Sequence, residues 1–306
     1  MKIFMSKVQT ILFLLTCGMF GAVIYKWSTS VTTYKVIEKI KDVSETESKR
    51  GPTLVLPPQQ IMNFIGPPEF QNITLATSHE ELARIYHTYI NKVQVKCNNI
   101  VRQGRNGDGG WDVCMDPPYE LKKPCLVYSF GINNDWSFDD AVSRNIGCEI
   151  HAFDPSMNVN DHFRQPSIYF HATGLDGSDA KSQNHPTWKM GRLQTIIKKL
   201  GHTNSTIDLI KIDIEESEWS AFPDMVLSNS LNRVKQFCFE IHFFLPTPVR
   251  DPDPWRYHSG LLLFKNLYNL GFRIFKSHGN PWCRYKSQFG PERWSCHEVY
   301  MVKVSS

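Results

Sequence analysis

The sequence predicts a doubly wound, mostly parallel α/β domain over residues 76–306, and three observations carry that expectation. From Pro124 onward, apolar runs of strand length alternate with stretches of helical period, the order that builds a parallel sheet. The first five runs lack two-residue alternation, as strands do when both faces are covered. The last two runs lie about 20 residues apart with no helical stretch between them, which predicts a terminal antiparallel hairpin.

The elements follow in order. At Ser78 the stretch "SHEE" is a capping box, with Glu81 three residues on and Leu82, Ile85, Tyr86 and Tyr89 at helical spacing behind it. Strands are expected at 126–130, 149–153, 167–171, 207–213, 235–242, 272–276 and 297–303, a sheet of seven. Helices are expected at 136–145, 188–200, 217–228 and 256–270. No internal repeat is visible.

Upstream the composition changes. Residues 28–75 alternate charges with Pro52, Pro57, Pro58, Pro67 and Pro68, the texture of a stalk. Before it, between Lys7 and Lys26, lies a charge-free run of 18 residues, at the short end of a bilayer-spanning helix. It reads as a signal anchor with a cytoplasmic tip in residues 1–27, or as a cleavable signal peptide ending near Gly18, Gly21 and Ala22. Lys/Arg counting does not favour a lumenal domain: Lys2 and Lys7 precede the run and Lys26, Lys35, Lys39 and Lys41 follow it. The sequons Asn72-Ile-Thr74 and Asn204-Ser-Thr206, with seven cysteines beyond the run, outweigh that count and predict a domain in the secretory lumen or outside the cell.

Of those cysteines, Cys238 sits in an apolar run and is expected to be free and buried. Cys97, Cys114, Cys125, Cys148, Cys283 and Cys296 permit 15 pairings. Proximity favours Cys97–Cys114 and Cys283–Cys296, and leaves Cys125–Cys148 as a third possibility. Neither C-x-x-C nor H-x-x-x-H spacing occurs, so no metal site is expected. A net charge of +4 without a basic run argues against nucleic acid.

In open α/β sheets ligands gather outside the carboxyl ends of the strands, so the strand exits hold the candidate site. The first exit, "SFGINND", has one glycine, Gly131, where a dinucleotide fingerprint needs three. Asn133 tolerates a left-handed backbone and offers an amide, which suits a nucleoside ligand without a pyrophosphate. The second, "EIHAFDPS", places Asp154 23 residues after Gly131, the position from which a carboxylate accepts ribose hydroxyls. At the third, His171, Asp176 and Asp179 are candidates for an adenine rim, although Asp176-Gly177 is equally a turn. The fourth, "IKIDIEESEW", carries Lys211, Asp213 and Glu215; Glu216 and Glu218 need no more than the favourable charge of a helix N-terminus. The fifth run ends in Glu240 and His242 on one face, with His242 a natural general base for a hydroxyl acceptor.

These exits, with five parallel strands and a terminal antiparallel pair, have the outline of Rossmann-like class I methyltransferases that use S-adenosylmethionine (SAM). More specifically, "NGDGGWDVC", "CLVYSFGINNDWSFDDAV", "CEIHAFDPS", "LIKIDIEESEW" and "FCFEIH" resemble the methyltransferase-like protein 24 family, distantly similar to FkbM-type O-methyltransferases. The resemblance covers roughly residues 80 to 303. It implies SAM as cofactor, held by Gly131 and Asp154, with Asp213 and Glu215 matching an acidic D-x-E-G motif whose glycine is here Glu216. It also draws attention to "GDGGW", in which Trp111 either closes over a ligand or sits in a turn held by Cys114. The methyl acceptor and the oligomeric state are not written in these motifs. Two rival readings stand beside this one: a lumenal glycosyltransferase with Asp251-Pro252-Asp253 as its metal motif, and a non-catalytic module that keeps the fold.

Overall fold

The capping box opens a helix. The Ser78 hydroxyl accepts the Glu81 backbone N–H at 3.2 Å, and α1 (His79–Ile90) buries Leu82, Ala83, Tyr86, Tyr89 and Ile90 behind it. This computed structural model describes residues 67, 70, 73–74, 76–180, 182, 185–215, 217–243 and 251–304. The apolar run at 8–25, Cys17, nearly all of the stalk, Asn72 and Glu216 lie outside the described residues. Among the described residues no helix is long and apolar enough to cross a membrane.

After α1 come a small hairpin, β1 (Ile100–Gln103) and β2 (Trp111–Cys114), then β3 (Leu126–Phe130), α2 (Ser137–Asn145), β4 (Glu149–Phe153), β5 (His162–Gln165) and β6 (Ile168–His171). A two-residue pair follows, β7 (Gly174–Leu175) with β8 (Met190–Gly191), then α3 (Leu193–Lys199), β9 (Ile207–Ile212), α4 (Glu218–Leu227), β10 (Val234–His242) and α5 (Pro254–Asn269). The chain ends in β11 (Phe272–Gly279), the hairpin β12 (Arg284–Lys286) and β13 (Glu292–Trp294), and β14 (Cys296–Lys303).

All seven expected strands form, but the sheet has eight, in the order β11-β14-β10-β9-β3-β4-β6-β5. The additional strand β5 pairs antiparallel with β6 at the edge. Its residues are mostly exposed and polar, so it carries no apolar run to announce it. The terminal pair β11 and β14 is antiparallel as expected, yet β14 inserts between β10 and β11 and is antiparallel to both. By that pairing β11 points the same way as the first five strands. The helix expected over 188–200 is shorter, because Met190 and Gly191 pair with Gly174 and Leu175 and Asp179 Oδ1 accepts the Arg192 N–H just before α3.

The two faces of the sheet are covered unequally. One packs under α1, α3, α4 and α5, with Tyr128, Phe130, Ile210, Phe237 and Phe239 pointing into that layer. The other, bearing Val127, Ile150 and Leu209, packs under α2 and the β1–β2 hairpin, so a β-ribbon completes the cover on that side. Three disulfides hold the periphery: Cys97–Cys114, Cys125–Cys148 and Cys283–Cys296. Cys238 is buried and free, and burial raises its thiol pKa.

Candidate functional site

The chain winds from β3 outward through β4 to β6, then crosses back to β9 and β10 on the other side of β3. The carboxyl ends of β3 and β9 therefore form the switch point where a crevice opens. A cavity of about 760 Å³ lies there, lined from the exits of β3, β4, β9 and β10, from the β7–β8 pair, and from Asn280, Trp282, Cys283 and Cys296.

Gly131 is at φ +72°, and a Cβ on it would collide with the carbonyl oxygen of Asp213. The glycine is thus required by the close approach of two strand exits, a reason distinct from contact with a ligand. Lys211, 5% exposed, closes the same junction: its Nζ donates to the carbonyls of Phe130 at 3.1 Å and Gly131 at 2.6 Å. Asn133 and Asn134 follow in the left-handed region, as short polar side chains allow.

Asp154 is buried, and its carboxylate links the first two exits. Oδ2 accepts the Asn133 N–H at 2.8 Å, while Oδ1 accepts Ser156 N at 2.7 Å and its hydroxyl at 2.6 Å. The third exit contributes an apolar wall of Leu175, Met190 and the Trp188 ring. None of the rim candidates lines the cavity. Asp176 accepts from Gly177 N and the Ser220 hydroxyl. Asp179 accepts from Arg192 N and the Thr195 hydroxyl at the start of α3, and His171 bonds His151 at 2.8 Å.

The acidic end of the cavity is organised around His242. Asp213 Oδ1, Glu215 Oε2 and Glu240 Oε2 lie 3.9, 3.7 and 3.8 Å from its Nε2. On the other side of the ring, Glu218 Oε1 is 3.3 Å from Nδ1 and also accepts the Ile214 N–H at 3.0 Å. Glu218 is fully buried, so the helix-terminus account fails for it; it is the orienting partner of His242. Burial alone would lower the His242 pKa, but the bond to Glu218 and the charges of Glu218, Glu240 and Asp213 push it up to about 10. The surrounding carboxylates therefore hold His242 toward its imidazolium form, which disfavours the general-base role its position suggested. Glu240 is the group poised near neutrality. Burial, then Asp213, raise it to about 7 against the pull of His242 and of Asn280 Nδ2, which donates to Oε1 at 3.0 Å. Burial likewise raises Asp213. Glu215 sits at φ +52°, a strained conformation for its residue type, with its carboxylate mostly exposed.

One wall residue escaped the sequence reading, and another takes a different role from the lid it offered. Asp139 of α2 is 1% exposed beside Ser129, and burial lifts its carboxyl to about 6 against the attraction of Lys211. It lies two positions past Ser137 in a helix whose amphipathic pattern would have placed it inside. Trp111 is buried at the start of β2, with the Lys211 ammonium 5.2 Å from its ring centre, so it is wall and not lid. The rival metal motif is also occupied by structure. Asp251 accepts from Tyr257, Tyr285, the Ser287 hydroxyl, Gln288 N and Arg293, which leaves it no place in a nucleotide-sugar site.

In charge, the cavity carries seven carboxyl groups against Arg105, Lys211 and the His242 imidazolium. That lining repels a pyrophosphate. It favours a ligand that carries positive charge, and Asp154 is among the lining carboxylates.

Comparisons with known proteins point to a methyltransferase domain. "Probable methyltransferase-like protein 24" of Homo sapiens is 29% identical over 217 residues, and the Rattus norvegicus protein of the same name is 28% identical over 215. Each match takes in 66% of this chain, and the chain spans 59% of the length of each relative. A point mutant of the 16S rRNA (adenine(1408)-N(1))-methyltransferase from Catenulisporales acidiphilia, a solved structure, aligns with 67% of this chain and 98% of its own. At 10% identity and a TM-score of 0.30 it is too distant to bear on function. A family model described as a methyltransferase domain matches residues 67–290, and the chain belongs to that family.

Proposed function

We propose that the chain is a SAM-dependent methyltransferase acting on a hydroxyl acceptor. The observation that carries this is the acidic cavity at the switch point, built without a phosphate cradle and joined to a carboxyl group poised near pH 7. Bound there, SAM supplies an already activated methyl group, so the protein needs to align an acceptor and take one proton. Asp154 holds the ribose hydroxyls through its remaining acceptor capacity. The backbone of Gly131 and Asn133 bounds the nucleoside, and Leu175, Met190 and Trp188 receive the adenine. Asp213 and Glu215 attract the cationic end of the cofactor. Glu240 takes the acceptor's proton, and the Glu218-oriented imidazolium of His242 keeps Glu240 ionisable near neutrality.

Calorimetric titration of the purified chain with SAM and with its demethylated product tests the cofactor assignment; no heat with either refutes it. Asp154→Ala should abolish binding, and an unchanged affinity refutes the ribose role. SAM binding with no methylated product in an extract screen favours the non-catalytic module instead.

The disulfides are one support for a compartment. Three bridges and an exposed Asn204 in a sequon support a lumenal or extracellular domain, tethered by the 8–25 run or released after cleavage. A glycosidase mobility shift on cell-expressed protein checks it; no shift, with free thiols at these cysteines, reverses the assignment.

A further inference from the structure

A second polar cluster lies at the opposite end of β4 from the cavity. Glu149 opens the strand, and His151 follows on the same face by two-residue alternation. His202 reaches them from the turn after α3. Glu149 Oε1 is 3.0 Å from His151 Nε2 and 3.7 Å from His202 Nε2, and the three atoms lie within 4.8 Å of one another. Ligands bonded to one zinc ion at about 2.0–2.1 Å in a tetrahedron stand roughly 3.3 Å apart, so the two separations from Glu149 bracket the required one.

The remote ring nitrogens are already fixed. The Tyr128 hydroxyl is 2.8 Å from His202 Nδ1, and His171 Nε2 is 2.8 Å from His151 Nδ1. His171 is backed in turn by Asp161 at 3.8 Å. Both Nε2 atoms are thereby aimed at one carboxylate oxygen, the outer-shell arrangement that orients metal-bound histidines. His151 is buried, whereas the Glu149 side chain is 49% exposed and free to swing a few tenths of an ångström as an ion enters. His202 also lines a solvent-open groove of about 980 Å³, which provides the entry path. None of the three residues lines the methyltransferase cavity.

We infer that Glu149, His151 and His202 form a zinc site, with water in the fourth position, that clips β4 to the α3–β9 turn. Two nitrogens and one carboxylate in a tetrahedral array select Zn²⁺ over Ca²⁺ or Mg²⁺, which take oxygen cages.

The test uses the full chain, dialysed against chelator and titrated with Zn²⁺ alone. One equivalent should bind, and saturation at a hundredfold excess over Kd should raise the thermal midpoint by about 5 °C or more. Co²⁺ in its place should give the visible bands of a four-coordinate N₂O₂ site, the second oxygen being that of water. His202→Gln, at the surface turn, should weaken binding at least about 100-fold with circular dichroism unchanged, whereas His242→Gln should leave stoichiometry and affinity as they were. Absence of a stoichiometric ion overturns the proposal. So does an ion that survives His202→Gln, or one that is lost with His242→Gln, which would move it to the cavity.

Discussion

Replacing His242 by glutamine separates two roles for the acidic cluster. Glu240 Oε2 lies 3.8 Å from His242 Nε2, and both side chains are well shielded. At an effective dielectric constant of about 20, a unit positive charge at that distance favours the carboxylate by about 4 kcal/mol, or roughly 3 pKa units. Water entering the space left by the ring reduces the effect, so we expect Glu240 to move from about 7 up by 1–3 units. The assay needs no acceptor: carboxyl-¹³C-labelled glutamate, followed by NMR from pH 4 to 10, reports the titration directly. Once an acceptor is in hand, the rising limb of kcat/KM should sit near pH 7 in the parent and shift alkaline in His242→Gln, with activity regained at high pH. If His242 were the base, the limb would instead rise toward pH 10 and the variant would be inactive throughout. A Glu240 titration that does not move refutes the electrostatic reasoning.

The remaining predictions concern stability. His242 gains its proton affinity on folding, from the ordinary value of 6.5 to about 10, so the stability it contributes is complete below about pH 6.5 and is lost as pH rises toward 10. Thermal midpoints should fall across that window in the parent and stay flatter in His242→Gln. Gly131→Ala forces a side chain into φ +72° and onto the Asp213 carbonyl, and should cost at least about 2 kcal/mol in urea denaturation while weakening SAM binding. Asp251→Asn breaks a buried pair with Arg293 and should lower stability by about 3–5 kcal/mol; a loss under about 1 kcal/mol would contradict the hub described above. Removing Cys125–Cys148 by paired alanines opens a bridge of sequence separation 23 and should cost about 3 kcal/mol by the chain-entropy model, read from denaturant midpoints.

The sheet was readable because its central strands are continuous apolar runs broken at glycine or charged exits. β5 was not, since an exposed edge strand such as "HFRQ" needs no apolar face. The β1–β2 hairpin was missed for a related reason: its burial comes from lying across the sheet and not from any periodicity of its own. The exits of β3, β4, β9 and β10 could be named because topology brings strand ends together whatever their side chains. Topology does not say which side chains inside that set meet. Asp176 stands at an exit as plausible as that of Asp154, yet its carboxylate turns to Ser220.

Glu218 and His242 show where such reading ends. From the sequence, a glutamate at a helix start is satisfied by the helix dipole, and a histidine at a strand end titrates near neutrality. Both rules hold for a residue considered alone. In the folded chain α4 rolls Glu218 inward onto a ring 24 positions away, and the exits of β9 and β10 place three further carboxylates around it. The carboxylates hold the histidine toward its cationic form, and burial with Asp213 raises Glu240 toward neutrality. A pKa belongs to the arrangement and not to the residue. Glu240 could therefore be proposed as the general base only once the four carboxylates had been placed around a single imidazole.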